Sequence, residues 1–295
     1  MSTRNPRHGI LVGVDGSPNS EAAVQWAVAE AVMRNEPLSI VNVVSPLVGG
    51  WSGAWGASVP DDFGEWQEKQ ARQVVEDAMR VAHESTAGAT VQIDTEIPFA
   101  PLVPTLVDMS EHAQMIVVGS RGQGAFSRAV LGSVSTALIH HAHCPVAVLH
   151  GHAPSERAHA PIVLGVDGSP ASERATALAF EEASWRKAEL VALHAWSDAD
   201  WPEVAPIPWS VFSADAEKVL AERLAGWQER YPDVVVRRLV VPDHPAKHLI
   251  AESESAQLVV VGSHGRGGFA GMLLGSVSSA VVHGVGAPVI VARHD

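Results

Sequence analysis

The 295-residue chain holds one cysteine, Cys144, which excludes an intrachain disulfide framework and fits a reducing cytoplasm. Basic residues are scarce: 20 Lys and Arg stand against 33 Asp and Glu, a formal charge of −13. Such a balance argues against nucleic acid or an anionic membrane as a partner, because both reward a cationic surface. Long apolar runs are also missing. Arg4 and Arg7 precede only the short run 10–14, which Asp15 closes, so no secretory signal is read there. Two stretches lack Asp, Glu, Lys and Arg. Residues 37–60 carry three prolines and four glycines, and residues 129–154 carry five histidines. Neither resembles the roughly 20 apolar residues of a membrane-spanning helix, so no membrane insertion is expected.

Several nucleotide and hydrolase signatures are absent too. No G-x4-G-K-[ST] occurs, and none of the four lysines lies in a glycine-rich loop, which excludes a Walker-type nucleotidase. No G-x-G-x-x-G follows the first apolar run, which weakens a dinucleotide reading. Neither G-x-S-x-G nor a Cys/His nucleophile spacing is evident, and no residue stands out as an obligatory general base.

What is present is a repeat. Gly13-Val14-Asp15-Gly16-Ser17-Pro18 recurs as Gly165-Val166-Asp167-Gly168-Ser169-Pro170, an offset of 152. Leu131-Gly132-Ser133-Val134-Ser135 recurs as Leu274-Gly275-Ser276-Val277-Ser278, an offset of 143. The nine-residue slip assigns extra length to the first copy, expected in the Gly/Trp-rich segment 49–64 with Trp51 and Trp55. This period exceeds the roughly 20–50 residues of a solenoid unit, so two whole domains are expected, 1–151 and 160–295. An apolar content of 46% is enough for two cores.

In each copy short β-branched runs alternate with amphipathic stretches. Expected strands are 10–14, 38–44, 91–97, 115–119 and 146–149, then 162–166, 190–195, 234–241, 258–262 and 289–291. Helical stretches include 20–34, 65–83, 172–186 and 215–231, with Ser20 and Ser172 as N-cap candidates. Continuous apolar strands alternating with helices predict an α/β fold, each copy a doubly wound five-stranded parallel sheet. The terminal strands 146–149 and 289–291 are expected to meet, since open sheet edges invite pairing.

A glycine pattern follows the fourth strand of each copy: Gly119-Ser120-Arg121-Gly122, nine residues, then Gly132-Ser133, matched by Gly262-Ser263-His264-Gly265, nine residues, then Gly275-Ser276. The last Gly-Ser opens a helical stretch, 134–141 or 277–283, with Ser133 and Ser276 as N-cap candidates. Amides at a helix N-terminus, aided by the dipole, make an anion site suited to phosphate. The bland alternative is that the glycines serve only tight turns and capping. Asp15 and Asp167 follow the first strand and face the same crevice if strands one and four are neighbours. They would sit near a base, a ribose or a bound cation, unless they are ordinary turn aspartates. Arg121 aligns with His264, Gln123 with Arg266, and Arg128 with Gly271. Arg121 or Arg128 in one loop and Arg266 in the other are expected to reach terminal phosphates, the alternative being solvated arginines. His140, His141, His143 and Cys144 read as helix-end and packing residues, not as a metal site.

The Val-Asp-Gly-Ser turns, the G-x2-G-x9-G-S loops and the leads Cys144-Pro145-Val146 and Ala287-Pro288-Val289 into strand five resemble the universal stress protein family, in its tandem, ATP-binding branch. The resemblance covers both halves and implies strand order 3-2-1-4-5. It implies that Val43 and Ala195 offer backbone contacts to adenine, beside Gly13 and Gly165. It implies phosphate contacts at Gly122, Gly132, Ser133 and Val134, and at Gly265, Gly275, Ser276 and Val277, with Gly119, Ser135, Gly262 and Ser278 also expected in the nucleotide site. The ligand expected is ATP, with or without Mg2+, the partner state a homodimer with an unidentified protein partner, and the location cytoplasmic. The function it implies is a nucleotide-responsive regulator in stress or dormancy; the alternative is a slow ATPase or nucleotide-dependent phosphoryl-transfer enzyme.

Overall fold

A computed structural model describes residues 8–46, 62–122, 131–151, 159–197, 209–266 and 274–293. The first half runs β1 (Gly9–Gly13), α1 (Pro18–Arg34), β2 (Leu38–Val41), α2 (Phe63–Ser85), β3 (Ile93–Glu96), α3 (Leu102–Ser110), β4 (Ala113–Gly119), α4 (Ser133–His141) and β5 (Val146–Leu149). The second half repeats it: β6 (Ile162–Gly165), α5 (Pro170–Arg186), β7 (Leu190–Ala195), α6 (Ser210–Arg230), β8 (Val236–Val241), α7 (Pro245–Ser253), β9 (Leu258–Gly262), α8 (Ser276–Gly284) and β10 (Val289–Ala292). Among the described residues no helix is long and apolar enough to cross a membrane.

Ten strands form one sheet, β3-β2-β1-β4-β5-β10-β9-β6-β7-β8. Each half is parallel and ordered 3-2-1-4-5, and the halves join where β5 and β10 pair antiparallel, Ile290 opposite Ala147. Burial explains the sequence pattern. The inner strands β2, β5, β7, β9 and β10 are buried throughout, as their continuous apolar runs require, because helices cover both faces. The outermost strands, β3 with Asp94 and β8 with Arg237 and Arg238, carry their charges at the exposed edges. Alternate strand residues feed two cores. Ile10, Val12, Met115 and Val117 pack with residues of α1, α2, α5 and α6. Leu11, Ile116, Val118 and Val163 pack on the opposite face with Leu106, Leu138, Leu249 and Val281 of α3, α4, α7 and α8.

Two helix starts differ from expectation. Ser17 and Ser169, not Ser20 and Ser172, are the N-caps of α1 and α5, and Pro18 and Pro170 follow them at the first helical position. Proline fits there because its missing N–H is one the helix would leave unpaired. The Ser17 hydroxyl accepts from the Ser20 amide at 3.2 Å, and Ser169 from Ser172 at 3.2 Å. The offset of 152 holds at the β1–β2 and β6–β7 pairs, whereas β3 and β8 stand 143 apart. The slip therefore falls between the second and third strands. It is not confined to the segment named from sequence, since α2 has 23 residues and α6 has 21. Trp51 and Trp55 lie outside the described residues.

The halves are also joined away from the strands. On one face Glu30 and Arg34 of α1 meet Glu182 and Arg186 of α5 in a closed ring. Each arginine bonds the glutamate one turn back, at 3.0 Å (Arg34–Glu30) and 2.9 Å (Arg186–Glu182), and reaches across to the other helix's glutamate. Both glutamates are fully buried, and each guanidinium lies over a tryptophan of the other half, Arg34 on Trp185 and Arg186 on Trp26. On the other face, Arg293, just past β10, donates to the carbonyls of Ala142 (2.9 Å) and Ile139 (2.7 Å) at the end of α4. His150, just past β5, donates to Val282 of α8 at 2.8 Å. Cations at helix C-termini are favoured by the dipole.

Candidate functional site

Each half has one crevice at the carboxyl ends of its strands, between the first and fourth, where the strand order reverses. The first measures about 400 Å³ and the second about 280 Å³. The floor is Gly13, Val14 and Val118, or Gly165, Val166 and Val261. One wall is apolar: Leu102 and Leu106 of α3 with Val43, or Pro245 and Leu249 of α7 with Ala195. The rest of the lining is the glycine loop and the first turn of α4 or α8.

Gly132 and Gly275 are the N-caps of α4 and α8, correcting the expectation for Ser133 and Ser276, which occupy the first helical position. Neither helix has a side-chain cap. Ser133, Val134 and Ser135, or Ser276, Val277 and Ser278, therefore bring first-turn amides to the crevice with no intrahelical acceptor. The glycine amides are spent in closing the loop: Gly132 donates to Ser120 at 2.7 Å and Gly275 to Ser263 at 2.8 Å. The Ser135 and Ser278 hydroxyls donate to Gly119 (2.7 Å) and Gly262 (2.5 Å), tying the helix start to the strand end.

Different glycines answer to different constraints. A Cβ on Gly119 would stand 2.8 Å from Asn19 of α1, and one on Gly262 2.8 Å from the Ala171 backbone of α5. These two let a helix approach a strand closely, which is a packing duty. At Gly122 and Gly265 a Cβ would meet the Asp15 or Asp167 carboxylate, at 2.5 and 2.6 Å. Each aspartate thus leans against its loop. One oxygen accepts from the amide two residues on, Ser17 at 3.0 Å and Ser169 at 2.8 Å, which is the turn geometry of an aspartate. The second Asp167 oxygen accepts the Arg266 amide at 3.0 Å.

A shared device fixes the end of the first strand of each half. Asn42 donates to the Val14 carbonyl at 2.6 Å, and His194 stands at the matching place, its Nδ1–H donating to Val166 at 2.7 Å. Burial holds His194 below the usual imidazole range; the Val166 bond opposes this, and the charges of Arg266 and Arg223 reinforce it. Cys144 is buried, and that burial pushes its thiol up to about 12.

The structure brings together all the residues named from sequence except two. Arg128 lies outside the described residues. Arg266 is not among the residues that line the second crevice; its Nη2 donates to the Ala195 carbonyl at 3.3 Å, at the end of β7. Arg121 lines the first crevice, and its carbonyl accepts from Ser17 Oγ at 3.4 Å. Val43 lies beyond the end of β2, a shorter strand than expected, yet still lines the crevice as Ala195 does. Sequence reasoning missed the α3 and α7 walls, Leu102, Leu106, Pro245 and Leu249. Their signal was an apolar spacing after the third strand, in helices only nine residues long.

The universal stress protein family profile matches residues 6–150 and again residues 159–293. Universal stress protein Rv2005c of Mycobacterium tuberculosis is 51% identical over 296 residues, covering 99% of this chain and 99% of that one. Universal stress protein Rv2623 of the same organism is 50% identical over 297 residues, again covering 99% of each. The crystal structure of a universal stress protein from Archaeoglobus fulgidus superposes with a TM-score of 0.73 at 21% identity over 100% of both chains. This chain belongs to the universal stress protein family, with two such domains in tandem.

Proposed function

We propose that the protein binds an adenine nucleotide, ATP with or without Mg2+, in each crevice and acts as a nucleotide-responsive regulator in stress physiology. The reading takes residues 1–151 and 160–295 as two binding domains. One observation carries it: in both halves an uncapped helix start faces an apolar slot across a crevice of ligand size. The first-turn amides suit a polyphosphate, with the helix dipole adding to the attraction. The apolar wall by Val43 or Ala195 suits a flat base, and the remaining lone pairs of Asp15 and Asp167 suit ribose hydroxyls. The donors are main-chain groups, so the site needs no lysine.

Binding is favoured over turnover because the resident carboxylates are already engaged in turn geometry. The reading includes homodimers and a protein partner. Because β5 and β10 pair within the chain, such contacts use other surfaces. Equilibrium dialysis of the purified protein against millimolar ATP, ADP and AMP tests the proposal. Two equivalents per chain are expected; no bound nucleotide at millimolar concentration overturns it.

A further inference from the structure

We infer that Arg266 sets the affinity of the second crevice for the base, by holding the main-chain acceptor that the base needs. The inference rests on the reading of both crevices as adenosine sites. With phosphates at the start of α8, the base must lie at the opposite end, against Leu193, Ala195, Pro245 and Leu249. There β7 reaches its carboxyl end. The Trp196 amide is taken by the Val241 carbonyl at 3.0 Å, and the Ala195 carbonyl receives the Arg266 guanidinium at 3.3 Å. An exocyclic amine entering the slot seeks that same carbonyl and competes with the guanidinium for its lone pairs.

Arg266 does not arrive there by chance rotation of a free loop. Its amide is anchored to Asp167 at 3.0 Å, so the side chain starts beside the β6–α5 turn and spans toward the end of β7. The first half puts Val43 where the second has Ala195, and Gln123 where the second has Arg266. The first half thus lacks the charge at this loop position. The two crevices consequently differ in base affinity, the first being the stronger.

Adenosine, which has no phosphate, isolates the effect. In an NMR titration the Val43 and Ala195 amide signals report the two crevices separately. Arg266→Ala is expected to tighten adenosine at Ala195 about fivefold, the net worth of one hydrogen bond, and to leave the Val43 constant unchanged. Arg266→Gln, which installs the residue of the first half, should give a gain in the same direction. Arg266 is exposed, so neither variant threatens the fold. Unchanged or weaker binding at Ala195, with Val43 still responding, overturns the inference and leaves the nucleotide reading standing. Silence of both signals toward adenosine and ATP overturns the two together.

Discussion

The two halves share a backbone and differ in the side chains that surround it. Strand order, the glycine N-cap of the uncapped helix and the aspartate turn recur in both. Around that frame Asn42 becomes His194, Arg121 becomes His264 and Gln123 becomes Arg266. Main-chain donors depend on the path of the chain and not on side-chain identity, so a duplicated crevice can keep its anion cradle while its rim diverges. One set of side chains outside the crevices is also kept. Glu30 with Arg34, and Glu182 with Arg186, are the same pair at the same place, because they face each other across the join.

That ring is where the comparison breaks most violently. Arg34→Ala or Arg186→Ala leaves two buried carboxylates with one cation, and losing one partner of a buried pair costs about 3–5 kcal/mol. Burial pushes Glu30 up to about 7, with Glu182 adding to the rise and Arg186 and Arg34 opposing it. Burial pushes Glu182 upward too, but Arg186 and Arg34 hold it below the usual carboxylate range. The two carboxyls therefore titrate as a pair, one proton entering before the other. Urea unfolding of the two arginine variants should give matching losses. A difference above about 2 kcal/mol would show that one half dominates the join.

A smaller effect separates packing glycines from ligand glycines. Gly119→Ala and Gly262→Ala drive a methyl group into the backbone of α1 or α5 and should each cost about 1–3 kcal/mol as overpacking. Thermal melting checks this. Equal losses confirm that both halves use the residue alike, and no loss in either would return these glycines to the ligand.

The tandem repeat, the ten strands and the glycine loops were legible in the sequence because each rests on a local pattern: periodicity, β-branched runs or fixed spacing. The rest depended on geometry that spacing does not encode. Ser20 beside Glu21 looks like a cap, but Pro18 starts the helix earlier and gives the cap to Ser17. Gly132 and not Ser133 turns the chain into α4, since its extended ψ of 153° already precedes the helix. The bond of the Arg266 amide to Asp167 and of its guanidinium to the Ala195 carbonyl joins residues 71 to 99 positions apart, which no spacing announces. The Glu30–Arg186 ring left a trace, an i,i+4 pair repeated at an offset of 152, yet only the meeting of α1 and α5 makes it a ring.

The smallest expected effect compares Asn42 with His194, two side chains that hold the same strand-end carbonyl. Asn42 carries no titratable group. Burial disfavours the charged form of His194, so its folded pKa lies below the ordinary imidazole value of 6.5. On acidification the unfolded chain takes up a proton at this residue before the folded one does. The stability it contributes is therefore complete above about pH 6.5 and is lost as pH falls from there toward the lower folded pKa. His150 is lowered for the same first reason, burial, and titrates in the same direction, so replacing His194 reduces the slope without abolishing it. His194→Asn keeps a donor to the Val166 carbonyl, as Asn42 does for Val14. Denaturant midpoints at pH 7.5 and pH 5.5 should lie closer together in the variant than in the wild type. An unchanged gap would mean that His194 titrates alike in the folded and unfolded chain, so that burial does not disfavour its charge.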